Sequence, residues 1–599
     1  MALLALSLLP FASLAEEKYP PDPRPDREIE RRRPGPSEPE RYTPPPIDPR
    51  QVPPPAPLVP REMPPVPDRW RLMQALGFHH PWFDPYDQNV LKGDLPIATD
   101  PAFRARFPGL ASRLSDRWFV NVGVVSDSVL EFRRLPTPTA PQSPRRAGTN
   151  DVFGQSRQAL FTETLITSLA LIEGDTTFRP PDYELRFTPA FNVNRARVEE
   201  RRVLSIDPRS GTTRDDAHVG IQEAFADVHL RDVSARYDFD SVRVGIQPFQ
   251  SDFRGFLFQD SALGVRLFGT RDDNRWQYNL AWLRRLEKDT NSGLNDLGRP
   301  PRGDDVLVAN AYRQDFPVPG FTSQATLVLD VNREAARTFY DANGFLVRPA
   351  VLGDARAHDY RVAYLGYNGD GHFGRWNLTT SLYAALGHDD RNPIAGRAQS
   401  IRAGFAAAEL SRDADWLRLR LDALFQSGDR DPFDGKATGF DAILENPQFA
   451  GAATSFWIRQ AVPLVGGGGV TLSGRNGVLA DLRSSKDQGQ SNFVNPGLVL
   501  VGGGIDADLQ PELRVSADVS YLRFADTTVL GVLRNQAPPA REIGWDISAA
   551  LRWRPFMSQN LVLEASAAML LPGRGLRELY DEGERGPQYS ILVNLVAAF

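Results

Sequence analysis

The sequence predicts an all-β protein: a transmembrane antiparallel β-barrel of about eighteen strands behind a Pro-rich amino-terminal stretch. Three observations point there. From Trp118 to the end, runs of alternating apolar and polar residues recur, each bounded by Gly, Pro, Asp or Asn, and a two-residue period marks a strand with two unlike faces. The connections between those runs alternate between long and short. The last eleven residues, YSILVNLVAAF, put Tyr589, Ile591, Val593, Leu595, Ala597 and Phe599 on one face and end on an aromatic. Such a strand is the assembly signal of bacterial outer-membrane barrels.

Strands are expected at 118–132, 157–173, 182–198, 218–230, 233–249, 258–270, 274–287, 304–315, 321–333, 356–369, 373–387, 398–411, 415–428, 495–509, 511–525, 541–554, 560–571 and 588–599. With the amino terminus periplasmic, the odd connections include the long ones, at 133–156, 199–217, 287–303, 334–355, 429–494, 526–540 and 572–587. The even ones are short, such as Arg231-Asp232, Asp370-Gly371-His372 and Arg412-Asp413-Ala414. Short periplasmic turns and long extracellular loops have this asymmetry.

The clearest strands assign the faces. Leu417, Leu419, Leu421, Ala423 and Phe425 oppose Arg418, Arg420 and Asp422; Leu513, Val515, Ala517, Val519 and Tyr521 oppose Arg514, Ser516, Asp518 and Ser520; Ile543, Trp545, Ile547, Ala549, Leu551 and Trp553 oppose Asp546, Ser548, Arg552 and Arg554. Apolar faces with Trp and Tyr at their ends suit a lipid annulus, and polar faces a wet bore. A soluble solenoid or propeller would show an internal repeat, and the sequence has none.

The same parity turns Arg186, Arg243, Arg266, Arg361, Arg375, Arg402, Arg418, Arg420, Arg514, Arg552 and Arg554 inward, together with Glu184, Glu223, Asp227, Asp330, Asp422, Asp518, Asp546 and Glu564. A barrel this wide is not filled by its own side chains. Clustered lumenal guanidinium groups favour anionic or acidic-sugar solutes, whereas Arg and acid paired across strands would serve to hold the wall rigid.

The connection 429–494 is the longest, and long loops in barrels fold inward to narrow the bore. Its candidate constriction residues are Asp429, Asp431, Asp434, Phe440, Asp441, Trp457 and Arg459. Asp429, Asp431 and Asp434 before Gly435 approach the oxygen spacing of a calcium loop but are one residue out of step, so a solvated acidic turn is expected.

The run FQSGDRDPFDGKATGFDAI, with Ser427, Gly428, Asp429, Gly435, Phe440 and Asp441, resembles the strand-to-loop segment of the alginate-export porin family, and VRVGIQPF at Val242 to Phe249 is similar to that family's Arg-Val-Gly-Arg-Gln strand. Ile246 stands where the family often has Arg. The resemblance implies an eighteen-stranded outer-membrane barrel with an Arg-rich lumen that passes anionic polysaccharide.

Composition sets the limits. With 24% charged residues and a mean hydropathy of -0.36, the chain lacks the apolar runs of about 20 residues that helical membrane proteins need. Residues 1–15 read as a secretory signal, though without a basic start. Residues 16–67 read as a periplasmic linker, since 19 of the 50 prolines fall between Pro20 and Pro67, which favours extended polyproline II. Residues 68–117, with a short helix at 68–77, read as a periplasmic segment or small plug, and 118–599 as the barrel. The absence of Cys excludes a lipoprotein anchor, disulfides and thiolate metal sites. The net charge of -6 names no partner.

Catalysis is not expected. None of the seven His, at 79, 80, 218, 229, 358, 372 and 388, stands beside a Ser and an acid at readable spacing, and no cofactor or metal is called for. The expected partners are outer-membrane lipid and lipopolysaccharide, the barrel-assembly machinery, and a cell-wall or periplasmic partner of the Pro-rich stretch, with no nucleic acid. The expected function is a porin-like channel for hydrophilic, anionic solutes or acidic polysaccharide in the outer membrane of a Gram-negative bacterium. The alternative is a plugged barrel that works in adhesion or assembly through its extracellular loops.

Overall fold

Alternation, carried far enough, closes into a ring. The computed structural model describes residues 90–599 except 94–95, 136, 143–150, 175–179, 200, 202, 235–237, 347, 349–355, 452–453, 460–486, 534 and 580–584. The expected signal, Pro-rich linker and helix at 68–77 lie outside the described residues.

The strands are β1 (Trp118–Arg134), β2 (Arg157–Glu173), β3 (Tyr183–Val198), β4 (Thr213–Asp232), β5 (Phe239–Gln250), β6 (Gln259–Arg271), β7 (Trp276–Arg284), β8 (Asp304–Arg313), β9 (Phe321–Arg333), β10 (Asp359–Phe373), β11 (Trp376–Asp389), β12 (Gln399–Ala414), β13 (Leu417–Gln426), β14 (Leu498–Gln510), β15 (Leu513–Arg523), β16 (Glu542–Trp553), β17 (Leu561–Pro572) and β18 (Gln588–Ala598). Chain neighbours pair antiparallel and β18 pairs with β1, which closes an eighteen-stranded barrel. A two-residue piece, Lys436–Ala437, runs parallel to β12 as a nineteenth member of the sheet. Closure leaves no open edge, the condition for β-structure in lipid.

At the seam the C-terminal Phe599 exchanges backbone hydrogen bonds with Val124, at 2.8 and 3.1 Å. Below it, Val122 donates to Leu91 O at 2.7 Å, and the Lys92 ammonium lies 3.5 Å from the Phe599 ring centroid. The segment 97–111 forms a 3-10 turn and two short helices, Pro101–Arg106 and Pro108–Ala111. It touches β1 through 97–99 and is otherwise exposed.

Three expected turns move. Residues 231–232, 370–372 and 412–414 lie inside β4, β10 and β12, and for the latter two the reversals come at Gly374-Arg375 and Asp415-Trp416. Tight turns need a left-handed residue, and Gly374 and Asp415 supply it with φ of 62° and 59°.

The outer wall is apolar. Leu365, Tyr367, Leu419, Leu421, Val501, Val519, Ile547, Ile591 and Val593 are all exposed there. Trp276, Trp376, Trp416 and Trp553 stand at the periplasmic strand ends, forming the aromatic girdle of an outer-membrane barrel.

The bore is not uniformly wet. Its extracellular half holds a continuous apolar core in which Phe256, Phe258, Tyr360, Tyr364, Phe405, Phe440, Phe449, Phe456, Phe493 and Phe524 are buried. Ile543, expected outside, belongs to it, because Gly544 at φ 140° interrupts the alternation of β16.

Candidate functional site

Two extracellular connections dip into the bore and bond to one another. The one after β5, 251–258, is organised by Asp252, whose carboxylate accepts the backbone N–H groups of Arg254, Phe256 and Leu257 and the Tyr383 hydroxyl at 2.9 to 3.1 Å. The one after β13, 427–497, is pinched at a neck. There Ser427 Oγ donates to Thr438 O at 2.7 Å and Phe440 N to Ser427 O at 2.8 Å.

Inside, Ile443 and Leu444 donate to Leu257 O, Gln259 to Leu444 O, Asn446 to Gly255 O and Gln448 to Arg254 O, at 2.8 to 3.2 Å. These bonds make a crossbar of two backbones within the barrel. Its far end is anchored on β16, where Asp546 accepts Ser455 Oγ at 2.7 Å, Trp457 N at 2.8 Å and Phe456 N at 3.2 Å. Thr454 Oγ1 lies 3.1 Å from Ser548 Oγ. The return leg fastens to β9 and to the residue before β10 through Gln490, which donates to Asn332 Oδ1 at 2.8 Å and His358 O at 2.7 Å.

Periplasmic of the crossbar lies a cavity of ≈ 510 Å³, walled by Glu409, Arg418, Arg420, Asp506, Arg514, Asp518, Arg552 and Glu564 and roofed by Arg254 and Gln448 to Gly451. Its arginines are ion-paired. Arg420 bridges Asp506 at 2.5 Å and Asp518 at 2.6 Å; Arg552 meets Glu564, Arg514 meets Asp508 and Arg254 meets Glu409 at 2.7 to 3.1 Å. Exposure is uneven, however. Arg552 is 44% exposed against 12% for Glu564, whereas Arg418 and Arg514, 49% and 42% exposed, are matched by Asp413 and Asp508 at 50% and 41%, and Arg420 at 14% is as buried as Asp506 at 13%.

The chain is similar to solved structures from Pseudomonas aeruginosa. OccK7 (OpdD) is 10% identical with a TM-score of 0.44, and the match covers 80% of this chain and 98% of that one. OccK9 (OpdG) is 12% identical at 0.44, over 80% and 98%, and OpdK with vanillate 12% at 0.41, over 80% and 99%. No family model and no curated protein matches the sequence.

Of the arginines expected inside, Arg186, Arg243 and Arg266 line the β3 to β6 wall. Arg186 bonds Glu184 and Arg243 bonds Asp227 at 2.8 Å, Arg266 bonds Asn279 at 2.7 Å, and the Arg243 guanidinium lies 4.1 Å from the Phe225 centroid. Arg418, Arg420, Arg514 and Arg552 line the cavity. Arg361 and Arg402 do not face the bore. They stand exposed on the outer wall near the extracellular ends of β10 and β12, because there Tyr360, Val362, Tyr364, Ile401, Ala403 and Phe405 face the inserted loops. Arg375 sits in a periplasmic turn, and Arg554 lies past β16, donating to Pro511 O at 3.1 Å.

Among the loop candidates, Phe440, Asp441 and Trp457 are buried in the insertion. Phe440 stacks 5.1 Å from Phe405, and Asp441 accepts from Tyr364 Oη at 3.0 Å and Asn492 N at 2.7 Å. Asp431 and Asp434 each cap the N–H two residues on, at 3.0 and 2.7 Å, and Thr438 donates to Asp429 Oδ1 at 3.1 Å. These are turn bonds rather than a converging ligand set. Burial raises the Asp429 carboxyl to about 6. The Arg459 side chain lies outside the described residues. Sequence reasoning missed Asp252, Arg254 and Gln490, because the short connection 251–258 carries no signal of turning inward.

Proposed function

We propose that the protein is an outer-membrane channel for small hydrophilic solutes, with the crossbar as its constriction and the arginine-faced cavity as its periplasmic vestibule. The observation that carries this is the hydrogen-bonded insertion of 251–258 and 439–451 above a polar, water-accessible cavity. The guanidinium groups of Arg418, Arg514 and Arg552 reach the cavity half-exposed, and Arg552 outreaches its partner Glu564, while Asp413 and Asp508 are as exposed as the arginines they pair with. Partly desolvated Arg presents a fork suited to carboxylates, so the preference is for anionic solutes.

A volume of ≈ 510 Å³ holds a ligand of small-molecule size. An acidic polysaccharide such as alginate would have to thread past the crossbar, and only the two short sequence motifs favour it. A planar bilayer recording in a salt gradient tests the reading, with open-channel current and anion preference expected. Absence of current, or cation preference, contradicts it.

The apolar core of the extracellular half favours a second reading, a barrel stopped by its own loops that serves adhesion or assembly. Under it, purified protein passes no current at any voltage.

A further inference from the structure

The outer wall of β1 to β3 carries a carboxylate, Glu163, among exposed apolar side chains. On β2, Gln158 bonds Arg133 at 2.7 Å and Thr164 bonds Asn192 at 2.8 Å inside the barrel, so Glu163, between them in parity, faces out. On β1, Glu131 and Arg133 are the buried inward residues, so Ser126 and Ser128 also face out. Both hydroxyls donate to Glu163, that of Ser126 to Oε1 at 2.6 Å and that of Ser128 to Oε2. Exposed Leu130, Phe161, Leu165, Phe191 and Val193 surround them, and the register sets Glu163 opposite Ser128 on one side and Val193 on the other.

An ionisable group among lipid tails is costly and marks a place where a partner supplies the missing contacts. A carboxylate has about four acceptor positions, and the serines take two from the strand side, leaving the outward side open. A donor stands nearby on the same wall. Arg195 is the next outward residue of β3 beyond Val193 and is held only loosely, 3.5 Å from Asp215 with both side chains about two-thirds exposed (65% and 68%). Acceptor and donor thus sit one strand apart on one face, a patch complementary to itself. That is the requirement for a two-fold contact between identical chains.

We propose that the outer wall of β1 to β3 is an interface between two copies of this chain, in which Glu163 accepts hydrogen bonds from Arg195 of the partner subunit, and reciprocally. Ser126 and Ser128 aim the carboxylate outward. Lipid covers this wall in the unassociated barrel.

The chain has no Cys, so Leu165→Cys carries a single thiol beside Glu163. Oxidation of outer membranes containing this variant is expected to give a disulfide-linked band of twice the chain mass, while Leu421→Cys, on β13 across the barrel, gives none. Adding Glu163→Leu is expected to remove the band while the protein keeps the heat-modifiable mobility of a folded barrel, since Leu suits lipid better than Glu. Glu163→Gln, which retains an acceptor, is expected to leave a weakened band. The proposal fails if Leu165→Cys stays at single mass or links to a band of another mass. It fails equally if Leu421→Cys links as well, or if the band survives Glu163→Leu.

Discussion

Arg420 on β13 donates to Asp518 on β15, 2.6 Å away, across the full width of β14. It can do so because the inward residue between them, in register with both, is Gly504. A Cβ at 504 would collide with the Asp518 carboxylate and the Arg420 guanidinium. Gly504→Val is expected to break the bridge and lower barrel stability by about 1–3 kcal/mol, the usual penalty of overpacking. The measurement is the urea midpoint in vesicles, followed by tryptophan fluorescence. Gly404→Ala, on the outward face of β12 with no atom closer than 4.0 Å to the added carbon, serves as the neutral control.

Asp546 holds the crossbar's far end through three donors. Asp546→Ala orphans all three, and at 1–3 kcal/mol each for buried donors the loss is on the order of 3 kcal/mol or more. That corresponds to roughly a hundredfold shift toward undocked loop. Single-channel conductance is expected to rise, and protease cleavage between 443 and 457 to accelerate.

The loop neck responds to pH. Burial raises Asp429 from 3.8 to about 6, so the folded neck prefers the neutral acid. The sign follows: stability is fully present below the ordinary carboxylate range and is lost as pH rises through about 6, by on the order of 3 kcal/mol. Amide protection at 427–441, taken relative to the intrinsic exchange rate at each pH, is expected to be higher at pH 5 than at pH 7.5. Asp429→Asn should remove the difference.

Vestibule selectivity is tested by Arg418→Gln, Arg514→Gln and Arg552→Gln combined. Their half-exposed ion pairs are worth at most about 1 kcal/mol each, so the barrel should fold. The reversal potential in a salt gradient is expected to shift toward cation permeation.

The barrel was legible because lipid enforces an apolar outer face, and a wet bore a polar inner one, over most of the wall: β2 and β9 occupy the expected residues without change. The site was legible only where the bore is wet. Parity by polarity placed Arg418, Arg420, Arg514 and Arg552 inside, on strands whose inner face meets water. It misplaced Arg361 and Arg402, because the inner faces of β10 and β12 are apolar where they meet the inserted loops, and a strand with apolar residues on both faces offers no parity to read. The crossbar depends on contacts between 251–258 and 439–451, remote in sequence and without periodicity.

The most direct test of the crossbar as the element that sets the bore uses Thr454→Cys with Ser548→Cys, near-isosteric replacements of two hydroxyls 3.1 Å apart in a chain otherwise free of thiols. In planar bilayers the oxidised protein, its disulfide verified by mass, is expected to pass less current than the same protein after reduction, with the reduced form returning to the wild-type level. Equal currents before and after reduction would mean that this loop does not govern passage.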